Sequence, residues 1–294
     1  MDRTYTNALL IMKEGNIVYE NYRNNSDAKT RFIGWSMTKS ITSILIGCAL
    51  EEGRIKSLDE DITTYLPELK GGAYKGVTIR QVLSMRSGVD YEERYDFENP
   101  GIAARNHMLA LVKNVARFIE PAKTIARLHP PGEVFALLER ISAGSIASYM
   151  TSHLWEPLGA ESDGYFIMDG PPGIGREFNG AGFNAVMRDF ARIGLLMLNN
   201  GRINGKQIIT PEWVKLSTQS VGPEDGPIGG YGYQWWTLAD SPAYSAIGLQ
   251  GQFIYVDPST KTIVVKLSYF PPGDDSLLAK ETFAFFAAAS AWKL

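Results

Sequence analysis

A single cysteine, Cys48, excludes an intrachain disulfide and any zinc site built from cysteines. It lies in the apolar run from Ile44 to Leu50, which is where a small buried residue belongs. No apolar run approaches the length needed to span a bilayer, and Met1 to Tyr5 lack the charged-then-apolar layout of a secretory signal. These absences favour a chain that is soluble as given, with no membrane partner, and they leave the compartment open, leaning to cytoplasmic. Charge of one sign is also missing: the net charge is −3, with Lys and Arg scattered, so nothing electrostatic invites nucleic acid. The three histidines, His107, His129 and His153, read as structural or surface residues rather than as the base of a triad. No G-x-S-x-G elbow and no H-E-x-x-H helix is present. The glycine pairs near 173–182 and 229–232 fit neither a phosphate loop nor a dinucleotide loop. No motif here calls for a metal or a cofactor, and a small-molecule partner fits best. There is no internal repeat, low-complexity tract or linker, and the oligomeric state is left open.

What is present describes a well-cored protein, 45% hydrophobic and 21% charged over 294 residues. Residues 7–12 and 16–22 are β-rich runs separated by Lys13-Glu14-Gly15, the chemistry of a hairpin. From Ser36 to about Glu52 an Ile-, Leu- and Ala-rich stretch closed by Gly53 predicts a long, mostly buried helix. Residues 58–67 predict a short helix or turn, and Thr78 caps a helix that ends before Ser87-Gly88. Helical spacing continues to roughly residue 220, including 184–199. Strand patterns return at 231–237, 251–256 and 262–268, and a last apolar helix covers about 277–292. Strands at both ends with helices between predict an α/β (α+β) fold. An antiparallel sheet is built from both chain termini, flanked by helices, with a helix-rich lobe inserted. Residues 1–294 then form a single domain, with 1–50 and 221–294 as the sheet region and 51–220 as the mainly helical lobe.

Ser36-Met37-Thr38-Lys39 fits the S-x-x-K pattern, which places a serine and a lysine one helical turn apart on one face. The spacing also occurs at Ser26 to Lys29 and Ser290 to Lys293, so context decides. Only Ser36 starts an apolar helix, where free N–H groups and the positive helix end stabilise an alkoxide and the oxyanion that follows. Lys39 has Trp35, Ile41 and Ile44 around it, and apolar surroundings favour the neutral amine that can accept the serine proton.

The wider sequence resembles a family. Residues 32–43, 49–59 and 65–69 look like the opening of class C β-lactamases and their esterase relatives. The likeness continues through 78–88, His129-Pro-Pro-Gly132, Leu154-Trp-Glu-Pro157-Leu-Gly159 and Arg188-Asp-Phe-Ala191-Arg-Ile-Gly194, so it spans nearly the whole chain in order. Ser87 to Tyr91 and Asn179-Gly180 look most similar to the aminohexanoate-dimer (nylon-oligomer) hydrolases and the β-lactamase-fold esterases. The resemblance implies a β-lactamase/transpeptidase-like fold, with Ser36 as nucleophile, Lys39 beside it, and an oxyanion hole from the N–H groups of Ser36 and Leu249. It implies Tyr91, Asn179, Ile247 and Gly248 as substrate-binding residues, Gly248 and Gly251 letting the strand approach the substrate.

Two departures qualify what carries over. The family's second motif, a tyrosine shortly after the Pro-Gly turn, is missing, because Gly132-Glu-Val-Phe135 runs straight into Ala136-Leu-Leu-Glu. Either the protein has lost it or a stretch belonging to the molecule is absent between Phe135 and Ala136. The third motif, Lys-Thr-Gly in β-lactamases, aligns with Ala246-Ile247-Gly248, and Ala246 offers no charge to a substrate carboxylate. The expected activity is hydrolysis of a small ester or amide through a Ser36 acyl-enzyme. The alternatives are a catalytically impaired binding protein of this fold, or a penicillin-recognising D-alanyl carboxypeptidase or β-lactamase.

Overall fold

The computed structural model describes residues 4–92, 94–95, 98–126, 140, 142, 144–222, 228–271 and 275–293. The chain divides into two compact units. The first comprises Met1–Cys48, Met150–Tyr165 and Asn179–Leu294, and the second Ala49–Tyr149 and Phe166–Phe178.

In chain order the strands are β1 (Thr6–Lys13), β2 (Asn16–Tyr22), β3 (Arg31–Ile33), β4 (Tyr165–Phe166), β5 (Phe183–Val186), β6 (Arg202–Ile203), β7 (Lys206–Gln207), β8 (Ile228–Tyr231), β9 (Trp236–Leu238), β10 (Tyr244–Gly248), β11 (Gln252–Asp257) and β12 (Thr262–Ser268). The helices used below are α1 (Met37–Glu51), α2 (Ile79–Leu83), α3 (Ile102–His107), α4 (Ile119–Thr124), α5 (Ile146–Met150), α6 (Met187–Leu198), α7 (Pro211–Ser217) and α8 (Asp275–Ala291).

The first unit is built on a seven-stranded sheet of order β2-β1-β12-β11-β10-β9-β8, so strands from the two ends of the chain meet where β1 pairs antiparallel with β12. Alternation sends successive side chains to opposite faces. On one face Ile11, Phe253, Tyr255 and Val264 pack with Phe283 and Phe286 of α8. On the other, Ile254, Val256 and Ile263 meet Gly194 of α6. Both faces are covered, so β11 and β12 are buried at every position. Each large apolar side chain such as the fully buried Phe286 contributes about 1.5–3 kcal/mol.

Two expectations change. The stretch 179–220 belongs with the sheet rather than with a helical lobe, because α6 buries Phe190, Ile193 and Leu196 and packs on β11 and β12. The run 231–237 is not one strand. Gln234 has φ +64°, and the Gly232 N–H donates to the Trp235 carbonyl, folding the middle of the run into a turn between β8 and β9.

In the second unit, Thr78 and Gln81 form a reciprocal capping box that starts α2. His107, at the end of α3, sits among the rings of Tyr95, Phe118 and Phe178 and its Nδ1 is 2.7 Å from the Ala103 carbonyl. The buried Asp169 carboxylate accepts from the Phe118 and Arg176 N–H groups, tying two loops together. Among the described residues no helix is long and apolar enough to cross a membrane.

Candidate active site

The site grows from α1. Its N-terminal half is buried on every side, polar residues included, and three of those, Thr38, Ser40 and Thr42, bond to neighbouring main chain. The Thr38 hydroxyl accepts from the Phe183 N–H at 3.2 Å, Ser40 donates to the Gln234 carbonyl at 2.5 Å, and Thr42 donates to the Asn179 carbonyl at 2.7 Å. The helix therefore has a fixed place and rotation against β5 and the turn between β8 and β9.

Ser36 stands just before α1, half-buried, while Lys39 is only 8% exposed. Lys39 Nζ donates to Ser36 Oγ at 2.7 Å, so the one-turn spacing read from sequence becomes a direct contact. The first turn is tight, with the Met37, Thr38 and Lys39 N–H groups bonded to the carbonyls of Gly34, Trp35 and Ser36. Trp35 takes φ +44°, a left-handed conformation that costs a bulky residue about 1–3 kcal/mol and that clusters at functional sites.

Opposite Gly34 and Trp35, the residues leading into Ser36, lies the end of β10. A β-carbon on Gly248 would overlap the Gly34 carbonyl oxygen and come within 3.1 Å of the Trp35 β-carbon, so glycine is what lets β10 close on the residues preceding the serine. The φ of Gly251 is +79°, and a β-carbon there would meet the Phe270 ring at 2.5 Å. Gln250 is also left-handed, at φ +59°, and accepts from Trp35 Nε1 at 3.1 Å. Among the described residues the Ser36 and Leu249 N–H groups have no main-chain acceptor.

Ala246 is fully buried on the same side of β10 as Gly248. The side chain of Ile247, expected to bind substrate, turns to the opposite face from Gly248 and packs against the Phe253 cluster of the sheet core. Asn179 is buried beside Thr42, its carbonyl engaged and its Nδ2 without a partner among the described residues. Tyr91 belongs to the second unit, where it is half-buried. The junction Phe135–Ala136, where the motif tyrosine is missing, lies outside the described residues, as does His129. Gln250, Gln234 and Trp35 were not singled out as site residues from sequence. The only signal was the dipeptide Gln250-Gly251 ahead of a β-rich run.

A model of the β-lactamase family matches residues 2–289. The chain belongs to the β-lactamase family. Within that hydrolase family it is 29% identical over 300 residues to a 6-aminohexanoate-dimer hydrolase of Paenarthrobacter ureafaciens, covering 93% of this chain and 75% of that one. A solved Bacillus anthracis structure named for the same activity superposes with a TM-score of 0.82 at 26% identity, over 97% of this chain and 80% of that one. A family VIII carboxylesterase shares the fold, with a TM-score of 0.66 at 17% identity over 94% of this chain and 91% of the other. Among the described residues of this β-lactamase-family hydrolase no cluster of three His, Cys, Asp or Glu side chains gathers as a metal centre would require.

Proposed function

We propose that this chain is a serine hydrolase that cleaves a small ester or amide through an acyl-enzyme on Ser36. The observation that carries the reading is the 2.7 Å contact between Lys39 Nζ and Ser36 Oγ at the start of a buried helix. In the attack the Ser36 hydroxyl passes its proton to Lys39 Nζ and Oγ bonds to the substrate carbonyl carbon. The carbonyl oxygen becomes an oxyanion, stabilised by the N–H groups of Ser36 and Leu249. Collapse of that intermediate breaks the bond to the alkoxy or amino leaving group, which takes up the proton from Lys39 as it departs. Water then adds to the acyl carbon, Oγ leaves, and the product acid is released with Ser36 and Lys39 restored.

Substrate class follows from β10. Ala246 supplies no ammonium, so the site has no charge at the third-motif position for the carboxylate of a penicillin or a D-alanyl peptide. Gly248 leaves main chain, not a side chain, facing the Gly34–Trp35 segment that leads into the nucleophile. The Paenarthrobacter relative, named for hydrolysis of a 6-aminohexanoate dimer, supports a small hydrolysable carbonyl substrate. Asn179, whose Nδ2 has no partner among the described residues, is proposed to touch substrate. Turnover of short-chain aryl esters by the wild type, Ser36→Ala and Lys39→Ala proteins tests the reading. Ser36→Ala should abolish it, and Lys39→Ala should lower it at least ~10²-fold, the usual cost of a general base. Unchanged turnover in either variant contradicts it.

A further inference from the structure

Gln250 sits in the turn between β10 and β11, one residue after Leu249, and every acceptor contact it makes fixes that turn. Its carbonyl accepts from the Phe270 N–H at 3.1 Å and from Gln252 Nε2 at 3.2 Å. The same Gln252 amide donates to the Ser268 carbonyl at 2.7 Å, so the turn is tied to the end of β12. Its side-chain oxygen accepts from Trp35 Nε1 at 3.1 Å, across 215 positions of sequence, and Trp35 is the residue immediately before Ser36. Both partners in that bond are non-glycine residues with positive φ, +44° and +59°. Such conformations persist when surrounding contacts hold them.

We propose that Gln250 is a positioning residue. Its bond to Trp35 clamps the turn bearing the Leu249 N–H to the junction bearing the Ser36 N–H, and so sets the separation of the two oxyanion donors. This rests on the acyl-enzyme reading above. Neither Gln250 nor Trp35 touches the reacting atoms in this account. They act through the main chain next to each donor, and an oxyanion hole is effective only when both donors meet the developing charge at hydrogen-bond distance.

The test measures ester kcat and KM for Gln250→Met, Gln250→Gly, Trp35→Phe and the Gln250→Met/Trp35→Phe double variant, with Ser36→Ala alongside. Methionine keeps the length of the side chain without a comparable acceptor, and glycine relieves the left-handed backbone, so the pair separates the bond from the strain. The clamp predicts a kcat loss of about tenfold or more in each single variant with KM nearly unchanged, because the donors act in the transition state. It also predicts that the double variant is no worse than the poorer single one, the mark of a shared interaction. Full kcat in Gln250→Gly, losses confined to KM, or losses that simply multiply in the double variant would overturn the clamp while leaving the Ser36 reading standing. Ester turnover that survives in Ser36→Ala would overturn both. Should Trp35→Phe fail to fold, the two Gln250 variants decide the question on the kcat and KM criteria alone.

Discussion

Gly248 at the end of β10 faces the carbonyl oxygen of Gly34 with no space for a β-carbon between them. The closeness is between two main chains, so a Gly248→Ala side chain cannot be relieved by a rotamer change and must push β10 away from the Trp35–Ser36 junction. We expect kcat/KM for ester hydrolysis to fall ~10-fold or more, since small displacements of catalytic groups are costly. Melting temperature should fall by only a few degrees. Activity at the wild-type level in Gly248→Ala would show that the approach is not needed.

Gly47 in α1 has the buried Trp213 against it, with the indole nitrogen 2.7 Å from where a β-carbon would lie. Helix propensity favours alanine by about 1 kcal/mol, while overpacking a rigid ring costs about 1–3 kcal/mol. Packing should win. Gly47→Ala is expected to lower the melting temperature, and a rise would mean that Trp213 moves aside freely.

Much of this arrangement could be read directly from sequence where the determinants are local. The β-rich runs at 7–12, 16–22 and 262–268 specify strands, and the apolar run after Ser36 specifies α1. The Ser36–Lys39 pair was legible because a helix brings residues three apart together whatever surrounds it. The turn at 232–235 was hidden because Gln234, at φ +64°, is not a residue type that announces a left-handed position. The placement of 179–220 depends on which face α6 buries, and periodicity reports a face without naming its partner. The Trp35–Gln250 bond joins residues 215 positions apart, and nothing local encodes it.

Arg188 on α6 grips both carboxylate oxygens of Glu20 on β2, at 2.8 and 2.7 Å. That hydrogen-bonded contact holds the Glu20 carboxyl below its ordinary range, against the opposing effect of burial and with help from the Tyr22 hydroxyl. A depressed carboxylate stabilises the fold above its unfolded pKa, about 4.3, and that stability is lost as pH falls through the lower folded value. Arg188 is 37% exposed, so after solvent screening the pair contributes on the order of 1 kcal/mol. Glu20→Gln should therefore melt below wild type at pH 7, and the gap should close as pH falls below 4. A gap that stays constant to pH 3 would mean that the charge of Glu20 is irrelevant.

By the resemblance to β-lactamases, Ala246 takes the place of the lysine that would meet a substrate carboxylate. Short-chain aryl esters should accordingly be turned over with kcat/KM at least ~10²-fold above nitrocefin or benzylpenicillin, roughly the value of a lost charge-assisted contact. Penicillin hydrolysis equal to ester hydrolysis would require another cation in the site.

The central claim, an activated serine at position 36, is tested most directly by peptide mapping after reaction with a fluorophosphonate. The account predicts one adduct per chain, carried by Ser36 and absent from Ser36→Ala. An adduct on any other residue, or labelling that persists in Ser36→Ala, would contradict it.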